Sequence, residues 1–107
     1  ISTNTFSTII LNMNKAYSHI VLKIISNYLE NAIKYCYLEK LLYDRSIEYV
    51  LVLPPDIRIE NKNATTIIIY YRYAYEIISF NFNVYAKAEG PIVKLEIDNE
   101  GNVIVSN

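Results

Sequence analysis

Glycine occurs only twice in this chain of 107 residues, at Gly90 and Gly101. A phosphate-cradling loop needs several glycines close together, so two isolated ones exclude it. There is one histidine, His19, and one cysteine, Cys36. Zinc therefore has no ligand set, and no disulfide can close within the chain. Neither a metal nor a cofactor is expected. Charge imbalance is also lacking: 10 basic and 11 acidic residues give a formal net charge of −1. General nucleic-acid binding needs a basic footprint, and none is present. Long apolar runs are missing too. The longest, Ile67-Ile68-Ile69-Tyr70-Tyr71 and Val50-Leu51-Val52-Leu53, fall far short of the roughly 20 residues that span a bilayer. The chain begins at Ile1, not Met; contact with a membrane is expected only through a segment preceding residue 1.

What is abundant is β-branched and aromatic. The chain holds 18 Ile, 12 Asn and 11 Tyr, and 52% of its residues are apolar. Disordered chains lack this load, and it suffices for one core without staples.

From about residue 7 to 43 there is neither Gly nor Pro. Met13, Tyr17, Val21, Ile24, Tyr28, Ala32 and Tyr35 step by three and four residues, which is one helical stripe. Lys15, His19, Lys23, Ser26, Glu30 and Lys34 form a second, polar stripe. The pattern predicts a helix over 7–43, with Thr5 or Ser7 as the N-cap. The apolar side is wide. Leu11, Leu22, Leu29 and Cys36 lie on a flank turned away from the stripe centre by about 100° or more. A helix resting on one sheet needs an apolar arc of about 100°. The surplus implies a second contact surface, and these four flank residues are its candidates. Cys36, inside the helix, is expected to serve as a small buried hydrophobe.

After Tyr43 the period changes to two, the mark of a half-buried strand. Strands are expected over about 46–53, 56–60, 66–74, 77–86, 92–97 and 102–106. Pro54-Pro55 ends the first, since proline removes a ladder donor. Asn61-Lys62-Asn63 reads as a turn, and a further turn is expected near Tyr75-Glu76. Ile78, Phe80, Phe82 and Val84 should face the helix. Asp98-Asn99-Glu100-Gly101 is a hairpin loop. Residues 1–107 thus form a single α+β domain: a long N-terminal amphipathic helix on an antiparallel, mostly meander sheet of about six strands.

Catalytic machinery is not expected. His19 lies on the polar helix face, and Glu48, Glu60 and Glu96 mark the solvated face of a sheet. In Tyr70–Tyr75 the strand period puts Tyr71, Tyr73 and Tyr75 on one side and Tyr70 and Arg72 on the other. Strand packing is the expected role, and a protein interface the next. Asn63-Ala64-Thr65 is an N-glycosylation triplet, meaningful only if the protein is exported.

The order of elements resembles archaeal type IV pilin-like proteins. In these a hydrophobic N-terminal helix, after a short cleaved signal peptide, continues into an exported β-rich domain. The matching parts are the helix 7–43, the strand and proline turn Tyr49-Val50-Leu51-Val52-Leu53-Pro54-Pro55-Asp56-Ile57, and the C-terminal hairpin Val93–Val105. The pilin signal peptide and long hydrophobic segment are not in this sequence and would precede Ile1. The resemblance implies a non-enzymatic, extracellular or cell-surface subunit of a filament or envelope assembly. Its partners would be other protein subunits, identical or not, and the apolar flank would serve a neighbour. The alternative is an intracellular, cytoplasmic α+β binding module, cystatin-like or NTF2-like, acting through a pocket or a dimer interface. An enzyme of that same fold is a third reading.

Overall fold

The computed structural model describes the backbone of residues 3–107 and the side chains of residues 9–107. It shows one long helix packed on a mostly antiparallel sheet of seven strands. The helix, α1 (Thr3–Tyr43), is 41 residues long. With no Gly or Pro before Pro54, nothing in the covalent chain interrupts it. It starts earlier than the polar residues 1–6 suggest, so Thr5 and Ser7 lie inside the helix and not at the N-cap position expected of them. Residues 1 and 2 lie outside the described residues.

The helix stops without the usual glycine. Asp44 takes the left-handed conformation, φ 53°, which Asp tolerates better than most residues. The Asp44 N–H then donates to the Lys40 carbonyl at 3.0 Å, and the Arg45 N–H to that of Glu39 at 3.2 Å. These bonds satisfy carbonyls that the helix end would otherwise leave open. Lys40 Nζ reaches back to Asp44 Oδ1 at 3.0 Å.

The strands are β1 (Tyr49–Val52), β2 (Ile57–Asn63), β3 (Thr66–Tyr71), β4 (Ala74–Ser79), β5 (Val84–Glu89), β6 (Ile92–Ile97) and β7 (Val103–Ser106). Their order across the sheet is β1-β6-β7-β5-β2-β3-β4. Only β2-β3, β3-β4 and β6-β7 are hairpin neighbours, so the sheet is less of a meander than expected. The C-terminal strand β7 inserts between β6 and β5 and runs parallel to β5. The Asn107 carboxamide closes the fork that this insertion opens. Its Nδ2 donates to the carbonyls of Glu89 and Ile92, at 2.6 and 2.9 Å, and its Oδ1 accepts from the Glu89 N–H.

Three sequence boundaries move, each for a visible reason. The segment expected as one strand over 77–86 is two. Between β4 and β5 the chain crosses the β2–β3 turn, where the N–H groups of Phe80 and Val84 donate to the carbonyls of Thr65 and Ala64. Phe80 and Val84 still point into the core, with Ile78, and Phe82 is half-buried against it. The turn expected at Tyr75-Glu76 is Arg72-Tyr73, with Arg72 at φ 52°. The Arg72 Nε donates to Asp56 Oδ2 at 2.8 Å, which holds this hairpin tip against the loop before β2. Finally, Asn61-Lys62-Asn63 is strand, and the turn is Ala64-Thr65. A bulge at Asn61/Asn63 lets the Asn61 carboxamide stand in for backbone. Its Nδ2 donates to the Val84 carbonyl and its Oδ1 accepts from the Ala86 N–H, at 2.6 and 2.7 Å.

The moved turn also revises the tyrosines. Tyr71 is buried, Tyr73 sits at the hairpin tip, and Tyr70 and Tyr75 are cross-strand partners on the outer sheet face. Their ring centroids are 6.3 Å apart, and the Arg58 guanidinium lies 4.4 Å from the Tyr70 ring centroid.

A single core joins helix and sheet. Leu22, Ile25, Leu29, Ile33 and Cys36 belong to it from α1, and Ile67, Ile69, Val84, Val93, Leu95 and Val103 from the strands. Burying a side chain such as Leu29 contributes about 1.5–3 kcal/mol. Leu29→Ala should destabilise the domain by about 2–5 kcal/mol. Ile24→Ala, on the exposed side, should change stability by about 0.5 kcal/mol or less. Denaturant unfolding of the two variants checks the assignment of helix faces.

Candidate subunit-contact face

The sheet covers one side of α1, and it is not the side expected. Leu22, Leu29 and Cys36 are 1%, 0% and 0% exposed, packed into their own core. They are therefore unavailable to a neighbouring subunit, which corrects the reading of the flank as a contact surface. Leu11 continues the same face beyond the reach of the sheet and is exposed. The stripe expected to face the core is instead free. Met13, Tyr17, Ile24, Tyr28 and Tyr35 are all more than half exposed, between 52% and 65%. Val21 and Ala32 are half-buried at its margin.

The physical reason lies in side-chain shape. The covered face carries Ser18, Ser26 and Cys36 among its Leu and Ile residues, and such small side chains let a helix approach a sheet closely. The free face carries three tyrosines, whose hydroxyls keep a partner in water. That contrast was present in the sequence and is the signal that could have separated the two faces. Burying the small face has a cost at Ser26. It belongs to the polar stripe by spacing, yet it is buried and its Oγ has no hydrogen-bond partner. Ser18 solves the same problem by donating to the Asn14 carbonyl at 2.8 Å.

The free stripe is longer than the sheet. Extended at 1.5 Å per residue, 41 residues span about 61 Å, and the longest dimension of the molecule is 62 Å. Every residue from Ile9 to Tyr17 is exposed, and among the described side chains the first buried one is Ser18. The N-terminal part of α1 thus projects past the sheet. It leaves beside the β3–β4 turn, where Asn14, Asp56, Arg72 and Tyr73 line one shallow depression. Along the exposed side, Met13, Tyr17, Ile20, Ile24, Tyr28, Asn31, Tyr35, Leu38 and Leu42 follow at steps of three and four. None of them is charged. Lys23, Glu30 and Lys34 keep to a separate polar sector, where Lys23 meets Glu76 of β4 at 3.2 Å and Lys34 meets Glu30 at 3.3 Å. Among the described residues no helix is long and apolar enough to cross a membrane.

Other features of the surface are shallower. Two open grooves of about 510 and 490 Å³ flank the Tyr37–Phe82 stack, whose centroids are 4.0 Å apart. Asn81, Phe82 and Leu41 border both. They lie at the rim, because the space between helix and sheet is filled by the core. His19 is exposed on the helix. Among the described residues, His, Cys, Asp and Glu nowhere gather in a group of three that could hold a metal ion. Asn63 is exposed beside the β2–β3 turn.

Two polar positions are shaped by their surroundings. Burial pushes the Cys36 thiol above its ordinary pKa, and its Sγ donates to the Ile47 carbonyl at 3.7 Å. In the β6–β7 loop the Asp98 carboxylate accepts from the Asn102 N–H at 2.8 Å, the Asn102 Nδ2 at 3.0 Å and the Glu100 N–H at 3.0 Å. These donors, Asn102 foremost, hold its pKa below the usual carboxylate range. No protein-family model, curated protein or solved structure matches this chain.

A buried, neutral thiol is a poor nucleophile. Thiol-reactive reagents should label Cys36 far more slowly in the folded protein than in denaturant, as timed mass spectrometry will show. For Asp98 the folded-state pKa is depressed. Its contribution is complete above the unfolded value of ~3.9 and is lost as pH falls through the lower folded value. Amide exchange at Glu100 and Asn102 should accelerate in that acid window, relative to core amides, and Asp98→Asn should remove the pH dependence.

Proposed function

We propose that this chain is a non-enzymatic structural subunit, the surface-exposed domain of a type IV pilin-like filament or related envelope assembly, and that α1 joins it to neighbouring subunits. One observation carries this reading: an uncharged stripe on the free side of a helix that outruns its own sheet. From Met13 to Leu42 the stripe is about 44 Å long. Solvent-exposed helix faces ordinarily alternate charge with polar residues, and contiguous apolar patches of this kind mark interaction sites. Covering the half-exposed side chains from Met13 to Tyr35 would contribute roughly 1 kcal/mol each, set against the cost of association.

The form of the stripe favours a helix as the partner. Its three- and four-residue steps remain in phase with a helix of about 3.6 residues per turn over its whole length, which suits ridge-into-groove packing. A globular ligand would need a concave site, and the stripe is convex. The projecting N-terminal part of α1 extends the same surface beyond the sheet, where it could lie along the helix of a second subunit. An extracellular or cell-surface location belongs to this reading, with membrane attachment only through a segment preceding residue 1. The contact residues are Met13, Tyr17, Ile20, Ile24, Tyr28 and Tyr35, in place of the flank.

Ile20→Glu and Ile24→Glu, introduced into the full-length protein, test it. Each puts a charge on the stripe without touching the core. Assembly, followed by sedimentation and electron microscopy, should fall by at least about tenfold, since an unpaired buried charge costs more than 1.4 kcal/mol. The thermal midpoint of the isolated domain should stay within a few degrees of the parent. Assemblies that form equally well with either charge in place would sink the reading.

A further inference from the structure

We infer that Asn63 is an N-glycan attachment site, positioned at the end of the domain opposite the projecting helix. This rests on the proposed export of the chain.

The triplet Asn63-Ala64-Thr65 has the residue types that N-glycosylation requires, with Ala in the middle position where proline would prevent it. Among 12 asparagines it is the only one followed two residues later by Ser or Thr. The fold puts it on a turn. Asn63 ends β2, Ala64 and Thr65 form the turn, and Thr66 begins β3. Asn63 and Ala64 are exposed, so an enzyme can approach both.

The local geometry suits the chemistry. Asn63 Oδ1 accepts from the Thr65 N–H at 3.0 Å and stands 3.3 Å from the Thr65 hydroxyl. The carboxamide oxygen is thus engaged by the third residue of the triplet, in a residue that is itself exposed. The co-reactant is a lipid-linked oligosaccharide phosphate or pyrophosphate. Asn63 Nδ2 attacks the anomeric carbon, the C–N bond forms as the C–O bond to phosphate breaks, the lipid phosphate leaves, and the amide gives up one proton to a base of the transferase.

Placement supports it. β3 runs from the Ala64-Thr65 turn to the Arg72-Tyr73 turn, and the projecting helix leaves beside Arg72 and Tyr73. Asn63 therefore lies at the other end of the strand. A glycan there would extend away from Met13, Tyr17, Ile20 and Ile24, and subunits could still pack through the helix.

The test is peptide mass spectrometry of the protein recovered from its native cells, separated into surface and cytosolic fractions. The Asn63 peptide of surface protein should carry a sugar mass. Asn63→Gln and Thr65→Val should abolish that mass, and Thr65→Ser should retain it. The thermal midpoint of Asn63→Gln shows that the exposed substitution leaves the fold intact. An unmodified Asn63 peptide on surface protein overturns the inference and leaves the subunit reading standing. Unmodified protein found only in the cytosol overturns both.

Discussion

The packing of Leu22, Leu29, Ile33 and Cys36 against the inner face of the sheet organises the molecule. The helix is apolar around most of its circumference, while a single sheet can cover only one side of it. Whichever side the sheet takes, the other is left in water. The small-residue side fits close to the strands, so the tyrosine-bearing side is left out. The exposed stripe is the complement of the core, not a separate design.

Scarce glycine shapes the rest of the fold. Where the backbone must turn left-handed, Asp44 and Arg72 do so beside Gly90 and Gly101. Each of the two is held by a partner: Asp44 by Lys40, Arg72 by Asp56. Asparagine carries much of the remaining load. Asn61 extends the β2–β5 pairing past a bulge, Asn107 closes the fork around β7, and Asn102 clamps Asp98. A carboxamide both donates and accepts, so it can replace a peptide group where strands run out of register. The non-sequential pair β2-β5 is extended by such a bridge, and the β6–β7 hairpin loop is tied by another.

Head and stalk divide the work in the proposed assembly. The sheet anchors the C-terminal part of α1 and gives it a fixed direction. The N-terminal part, from Ile9 to Tyr17, contributes nothing to the core and is free to meet a neighbour. Rigidity matters here, because a breaker-free helix keeps its stripe in one plane and loses little entropy when it docks. The end of the sheet beyond Asn63 remains open to solvent in this arrangement.

The sequence by itself determined the element types. A breaker-free segment with helical period and then alternating segments between Pro and Gly turns led to α+β, because period is a local property of the backbone. It also showed that the helix had more apolar surface than one sheet can use. Tertiary structure decided which apolar face the sheet took; the small side chains of one face and the tyrosines of the other carried a signal for it, but close packing also depends on side-chain volume summed over strands distant in the chain. It also placed β7 between β5 and β6 and split 77–86 at the crossing of the β2–β3 turn, neither of which a local pattern can encode. So the free stripe from Met13 to Leu42 was legible as a stripe, while its exposure was not. Exposure is a property of what packs elsewhere.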